Sequence, residues 1–156
     1  MTPLYWEEIE IGGRRELGTY RFSEEEIVRF ARKYDPQPFH VDPEAAKQSI
    51  FGGLIASGWH TAAIWMKLAI AERARSGGAS PLLRAGVSPG YEDMRWLKPV
   101  RPGMTLRYAS TTVGKVELKS RSDVAILLTR NEAHDAATGE LVFAFTGKGL
   151  VQRRPR

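Results

Sequence analysis

FGGLIASGWHTAAIWMKLAIA, residues 51–71, decides the fold. Glycines stand at 52, 53 and 58, and from Trp59 onward apolar side chains cover most of the circumference of a helix up to Ala71. A helix that is apolar nearly all round belongs in a core. His60 and Lys67 interrupt the run, which falls short of the roughly 18 to 20 apolar residues that span a bilayer. Beyond it, Glu72, Arg73 and Arg75 turn the pattern polar, and SGGAS at 76–80 predicts a flexible connection.

Downstream, the segments 90–97, 105–116, 124–133 and 141–151 are rich in β-branched and aromatic residues and read as strands. The links PVRPG (99–103), KSRSD (119–123) and DAATG (135–139) are short, which favours antiparallel neighbours. Upstream, residues 15–22 predict a first strand. Ser23 then opens a helix to about Lys33, with Glu26 placed to complete a capping box and Ile27, Phe30 and Ala31 as the apolar stripe. A short turn of helix is expected at 43–48, with Asp42 as cap and Pro43 at its first position. One strand, a helical section and a run of antiparallel strands make an α+β layout, with the sheet expected to wrap around the helix at 59–71. No internal repeat or linker divides residues 1–156, so a single domain is expected, its core at about 10–150.

Composition narrows the chemistry. With 42% apolar and 26% charged residues the chain is of globular type, and the absence of cysteine excludes disulfides, thiolate metal sites and a cysteine nucleophile. His40, His60 and His134 are too scattered for a metal motif, so no metal is expected. A net charge of +5 suits an anionic ligand, but no nucleic-acid motif accompanies it, and the tail QRRPR reads as a solvated end. MTPLYWEEIEIGG has neither the basic nor the apolar region of a secretory signal, which favours the cytoplasm; no membrane association is expected.

The reactive groups gather in DPQPFH, residues 35–40. In a continuous helix His40 would be turned about 140° from Asp35. Pro36 and Pro38 predict a loop instead, and a loop can bring the two groups together. Such a pair can hold a water and move its protons near neutral pH; a plain Pro-rich turn is the other reading. Gly58 leaves amide donors free at the start of the buried helix, where the positive end of the dipole can hold an oxyanion, unless the glycines at 52, 53 and 58 only allow tight packing. IASGW around Ser57 is not the GxSxG of a serine hydrolase, the glycine spacing fits no phosphate loop, and Trp59 is placed to line a pocket.

DPQPFHVDPEAA followed by FGGLIASGWHT, and then MRWLKPVRPGMTL at 94–106, resembles the MaoC-like dehydratases, which include the R-specific enoyl-CoA hydratases of the hot-dog fold. The resemblance implies a lyase in fatty-acyl metabolism. In it Asp35 and His40 activate the water added to a 2-enoyl thioester, and the Gly58 amide binds the thioester oxygen, with Ser57, Trp59 and Gly53 around the substrate. It further implies coenzyme A or an acyl carrier protein as the substrate's carrier, no separate cofactor, and a homodimer or larger assembly. The family often has Asn at the position of Gln37, His at Ser57, a smaller residue at Trp59 and Asp at Met104. A hot-dog thioesterase directing water through Asp35, and a non-catalytic acyl-CoA-binding subunit, are the competing readings.

Overall fold

The computed structural model describes residues 4–76 and 87–155. After a 3-10 turn at Trp6–Glu8, the chain forms β1 (Arg14–Arg21), α1 (Glu24–Tyr34), α2 (Pro38–Val41), α3 (Pro43–Lys47) and α4 (Gly58–Arg75). Four strands follow: β2 (Gly90–Trp96), β3 (Thr105–Glu117), β4 (Val124–Asp135) and β5 (Leu141–Gln152). All pair antiparallel in the order β1-β3-β4-β5-β2, so β1 and β2 are the edges. An antiparallel sheet packed on one long helix is the expected hot-dog arrangement. Of the connection expected at 76–80, residues 77–80 lie outside the described residues.

Register shifts at Glu16/Gly18, Glu92/Arg95 and Thr112/Gly114 bend the sheet. Gly18 has φ of 133°, and α4 crosses β1 there closely enough that a Cβ would lie 3.5 Å from Leu68. The apolar core joins Ile64, Trp65 and Ala69 of α4 to Leu17, Leu106, Tyr108, Phe143 and Phe145 of the sheet and Phe22 just beyond β1. Polar links from three strands fix the helix's position. The Tyr108 hydroxyl donates to the Thr61 carbonyl at 3.0 Å, the Trp65 indole donates to Asn131 Oδ1 at 3.2 Å, and Arg15 meets Glu72 at 2.7 Å. Each donor in these three links has an acceptor, so they orient α4 at little desolvation cost.

The strand positions follow the sequence pattern closely, but three expectations are corrected. Pro38 is accommodated as the first residue of α2, where its missing amide proton is not needed, so His40 sits on a one-turn helix and only residues 35–37 run as a loop. The capping box is half formed: Ser23 accepts from the Glu26 amide, but the Glu26 carboxylate takes the Tyr20 hydroxyl instead. Nor is α4 buried all round, since Trp59, Met66 and Ile70 are 59%, 41% and 50% exposed along one side. The described tail is largely solvated, as expected, with Gln152, Arg154 and Pro155 exposed and its ion pairs at the surface. Arg153 pairs with Glu7 at 2.8 Å and Glu117 at 3.3 Å, and Arg154 pairs with Glu8, over a small second core of Trp6, Ile9, Ala125, Leu127 and Val151.

Candidate active site

Asp35 follows α1 directly, and the chain turns there because the Asp35 carbonyl accepts from the Gln37 amide at 2.8 Å before α2 begins. The α2 segment is then fastened to the strand-like stretch before α4: the Ile55 amide donates to the Phe39 carbonyl at 3.1 Å. His40 Nδ1 lies 2.7 Å from the Ile55 carbonyl oxygen. A carbonyl only accepts, so Nδ1 carries the proton and Nε2 is the free position of the neutral ring.

That free nitrogen faces Asp35 Oδ2 at 3.3 Å. In the neutral ring both atoms are acceptors, so a proton must lie between them or a bridging water must donate to each. A water held this way keeps an oxygen lone pair available for attack, with an acceptor for its proton beside it. The carboxylate is well supplied with donors: Gln37 Nε2 donates to Oδ1 at 2.8 Å, and the Ser57 hydroxyl donates to Oδ2 at 2.7 Å. Partial burial pushes the Asp35 carboxyl up, but the donors from Gln37 and Ser57 and the neighbouring imidazole outweigh it and hold the group below the ordinary carboxylate value.

Asp35, His40 and Gly58 line one cavity of about 520 Å³, walled by Phe39, Phe51, Trp59 and Trp96. Gly58 is the first residue of α4, and among the described residues nothing accepts from its amide. The amide therefore keeps the unpaired N–H and partial positive charge of a helix start. The need for glycine here comes from packing. A Cβ at residue 58 would lie 2.6 Å from Trp96 Cε2 and Nε1, because the Trp96 indole donates to the Gly58 carbonyl at 2.8 Å and stacks on Phe143.

The structure thus brings Asp35, His40, Gly58 and Trp59 together. Ser57 is adjacent but fully buried, with its hydroxyl engaged by Asp35 and by the Trp59 amide at 3.3 Å, so it is not a wall of the cavity. Gly53 is also outside the lining, close to the Arg101 guanidinium, which holds the Phe51 carbonyl. Gln37 and Trp96 were not singled out as site residues from the sequence. Gln37 lies within DPQPFH itself, whereas Trp96 arrives from the edge strand β2, and only its place in MRWLKPV hinted at it. His60 is separate from the pair. It stacks on Phe30 at 4.6 Å, is buried with Nδ1 unpartnered among the described residues, and burial pushes it down to about 4. No three His, Asp or Glu side chains converge as metal ligands among the described residues, and no described helix is long and apolar enough to cross a membrane.

Residues 8–133 match the family model described as a MaoC like domain. A MaoC-like dehydratase from Rhodospirillum rubrum is 38% identical, with 98% of this chain and 99% of that one covered and a TM-score of 0.84. The uncharacterized Bacillus subtilis protein YdeM is 38% identical over 62% of this chain and 64% of its own length. Mesaconyl-CoA hydratase of Cereibacter sphaeroides is 38% identical over 46% of this chain and 20% of its own. The chain therefore spans less than two thirds of either of these two curated relatives.

Proposed function

Given that the chain belongs to the MaoC-like domain family, we propose that it adds water to a 2-enoyl thioester, or removes it from the 3-hydroxyacyl thioester, with Asp35 and His40 as the acid/base pair. The observation that carries this reading is the 3.3 Å approach of His40 Nε2 to Asp35 Oδ2 in the cavity lined by Gly58. A water bridging the pair attacks C3. Its oxygen bonds to C3 while its proton passes to Nε2, and the electrons of the double bond move toward C2 and the thioester oxygen. The Gly58 amide stabilises that developing charge more than it stabilises the ground state. Delivery of the proton from Nε2 to C2 restores the neutral ring and completes hydration; the reverse sequence is dehydration.

Asp35, held ionised by its donors, serves to orient the water and to stabilise the imidazolium, so the proton itself resides on His40. Lys98 in the cavity wall and the surplus of basic residues suit a phosphate-bearing carrier such as coenzyme A or an acyl carrier protein. Similarity to mesaconyl-CoA hydratase supports the same class of reaction.

The test is a panel of enoyl-CoA thioesters, from crotonyl-CoA upward and including branched members, read both as loss of the conjugated enoyl absorbance and as released thiol. Loss of absorbance without thiol is expected. Asp35→Asn and His40→Gln should each lower kcat by about 100-fold or more while the fold is retained. Wild-type turnover in either folded variant refutes the assignment, and thiol release in place of hydration favours a thioesterase.

A further inference from the structure

Two segments distant in sequence must act on one substrate: the turn after α1 supplies Asp35, and the start of α4 supplies the Gly58 amide. Ser57 touches both. Its oxygen accepts from the Trp59 amide in the first turn of α4 at 3.3 Å, and its hydroxyl reaches Asp35 Oδ2 at 2.7 Å. A backbone N–H can only donate, so the hydroxyl lone pair is taken on that side and its single proton is aimed at the carboxylate. The direction of the bond is therefore set by the helix, and the positive end of α4 is relayed through one hydroxyl onto Asp35.

The other links between these segments do not do this. Ile55 pairs with Phe39 and with His40 Nδ1, which positions the imidazole, while Gln37 holds Asp35 Oδ1 from within its own turn. Among the described residues, only Ser57 joins α4 to Oδ2, the oxygen that faces His40 Nε2. The complete burial of Ser57 leaves it no water to exchange for either partner.

We propose that Ser57 is a positioning residue that locks the Asp35 carboxylate to the first turn of α4, so that the group orienting the water and the amide receiving the thioester oxygen stay in one register. This rests on the hydratase reading above. Attack at C3 needs the water and the oxyanion donor correctly placed at the same moment, and misplacement on the scale of 1 Å slows such steps about 100-fold.

The experiment compares Ser57→Ala, Ser57→Gly and Ser57→Thr. Glycine is tolerated at a helix cap with little loss of stability, so it keeps the test valid if the alanine variant does not fold. The first readout is the carboxyl carbon-13 titration of Asp35 in the substrate-free protein, identified by its loss in Asp35→Asn. The second is kcat and KM on whichever enoyl thioester the wild type hydrates. Removing the hydroxyl is expected to move the Asp35 midpoint upward and to lower kcat about tenfold or more, with KM within about threefold. Threonine, which keeps the hydroxyl, is expected to restore the midpoint and to return kcat to within about threefold of wild type. An unchanged midpoint in the alanine or glycine variant overturns the lock while leaving the hydratase reading intact. Because the titration needs no substrate, a wild type that hydrates nothing overturns the hydratase reading without obscuring this result.

Discussion

His60 makes a pH dependence of stability that can be worked out in advance. The ring is 4% exposed, lies flat on Phe30 and edge-on to Phe22, and burial pushes it down to about 4, against 6.5 for the free side chain. The folded value is the lower one, so as pH falls the unfolded chain binds the proton first. The folded state's advantage is full above 6.5 and is lost progressively toward 4. Between pH 7 and pH 5 the loss amounts to about 1.8 kcal/mol, and at about 2–4 °C per kcal/mol for a chain of this size the melting temperature drops by roughly 4–7 °C from this group alone. His60→Phe keeps an aromatic ring in the stack and removes the proton site. Glu26 and Arg29, the charged groups that act on His60, are present in both proteins, so their own contributions largely cancel in the comparison. Thermal melts of wild type and variant at the two pH values should show a pH-dependent drop smaller by that amount in the variant. Equal drops would refute the argument, because they would mean that His60 is already protonated in the folded protein or hydrated in a way its packing does not indicate.

Gly58→Ala should destabilise the fold by about 1–3 kcal/mol, since its Cβ overlaps the Trp96 indole. In urea denaturation, adding Trp96→Ala should then cost less than the two single losses combined; strict additivity would show that the indole is not the obstacle. Glu72→Ala should cost about 3–5 kcal/mol, because it removes the carboxylate 2.7 Å from the largely buried Arg15 guanidinium and keeps the neutral Ser110 hydroxyl beside it. A loss below about 0.5 kcal/mol in the same measurement would assign this pair to the solvent-screened class.

The sheet was legible because each strand segment is rich in β-branched or aromatic residues and each link has its own turn residues; β4 in addition alternates intermediate and buried positions along almost its whole length. The helix α4 was legible as an element but not in its exposure. Apolar periodicity locates a face only when the opposite face is polar, and Trp59, Met66 and Ile70 erase that contrast. Asp35 and His40 were legible as a pair, yet their geometry was not. Pro38 fits the first position of a helix as well as it fits a loop, and the choice is made by the Phe39 carbonyl finding the Ile55 amide, a contact between segments. The same holds for Ser57. Beside a helix start it reads as a cap, which it is, and no local pattern says that its remaining proton finds a carboxylate on the turn after α1.

The positions that depart from the residues often found in this family take on a common meaning once placed. Gln37 and Ser57 donate to different oxygens of Asp35, one from within the turn and one from α4. Together they supply two neutral donors to a partly buried carboxylate that faces an imidazole, which is what keeps it ionised against its own desolvation. A side chain much larger than threonine, or a charged one, would have to displace the packing around the fully buried Ser57, so the two positions are coupled to the packing of α4 as well as to Asp35. Trp59 is of another kind. It stands edge-on to Trp96 at 5.5 Å on the cavity wall and, on the proposed hydratase reading, shapes the space that an acyl group would enter. Variation at 37 and 57 should therefore be read in kcat and in the Asp35 titration, whereas variation at 59 should be read in the ratio of kcat/KM between acyl chains of different length.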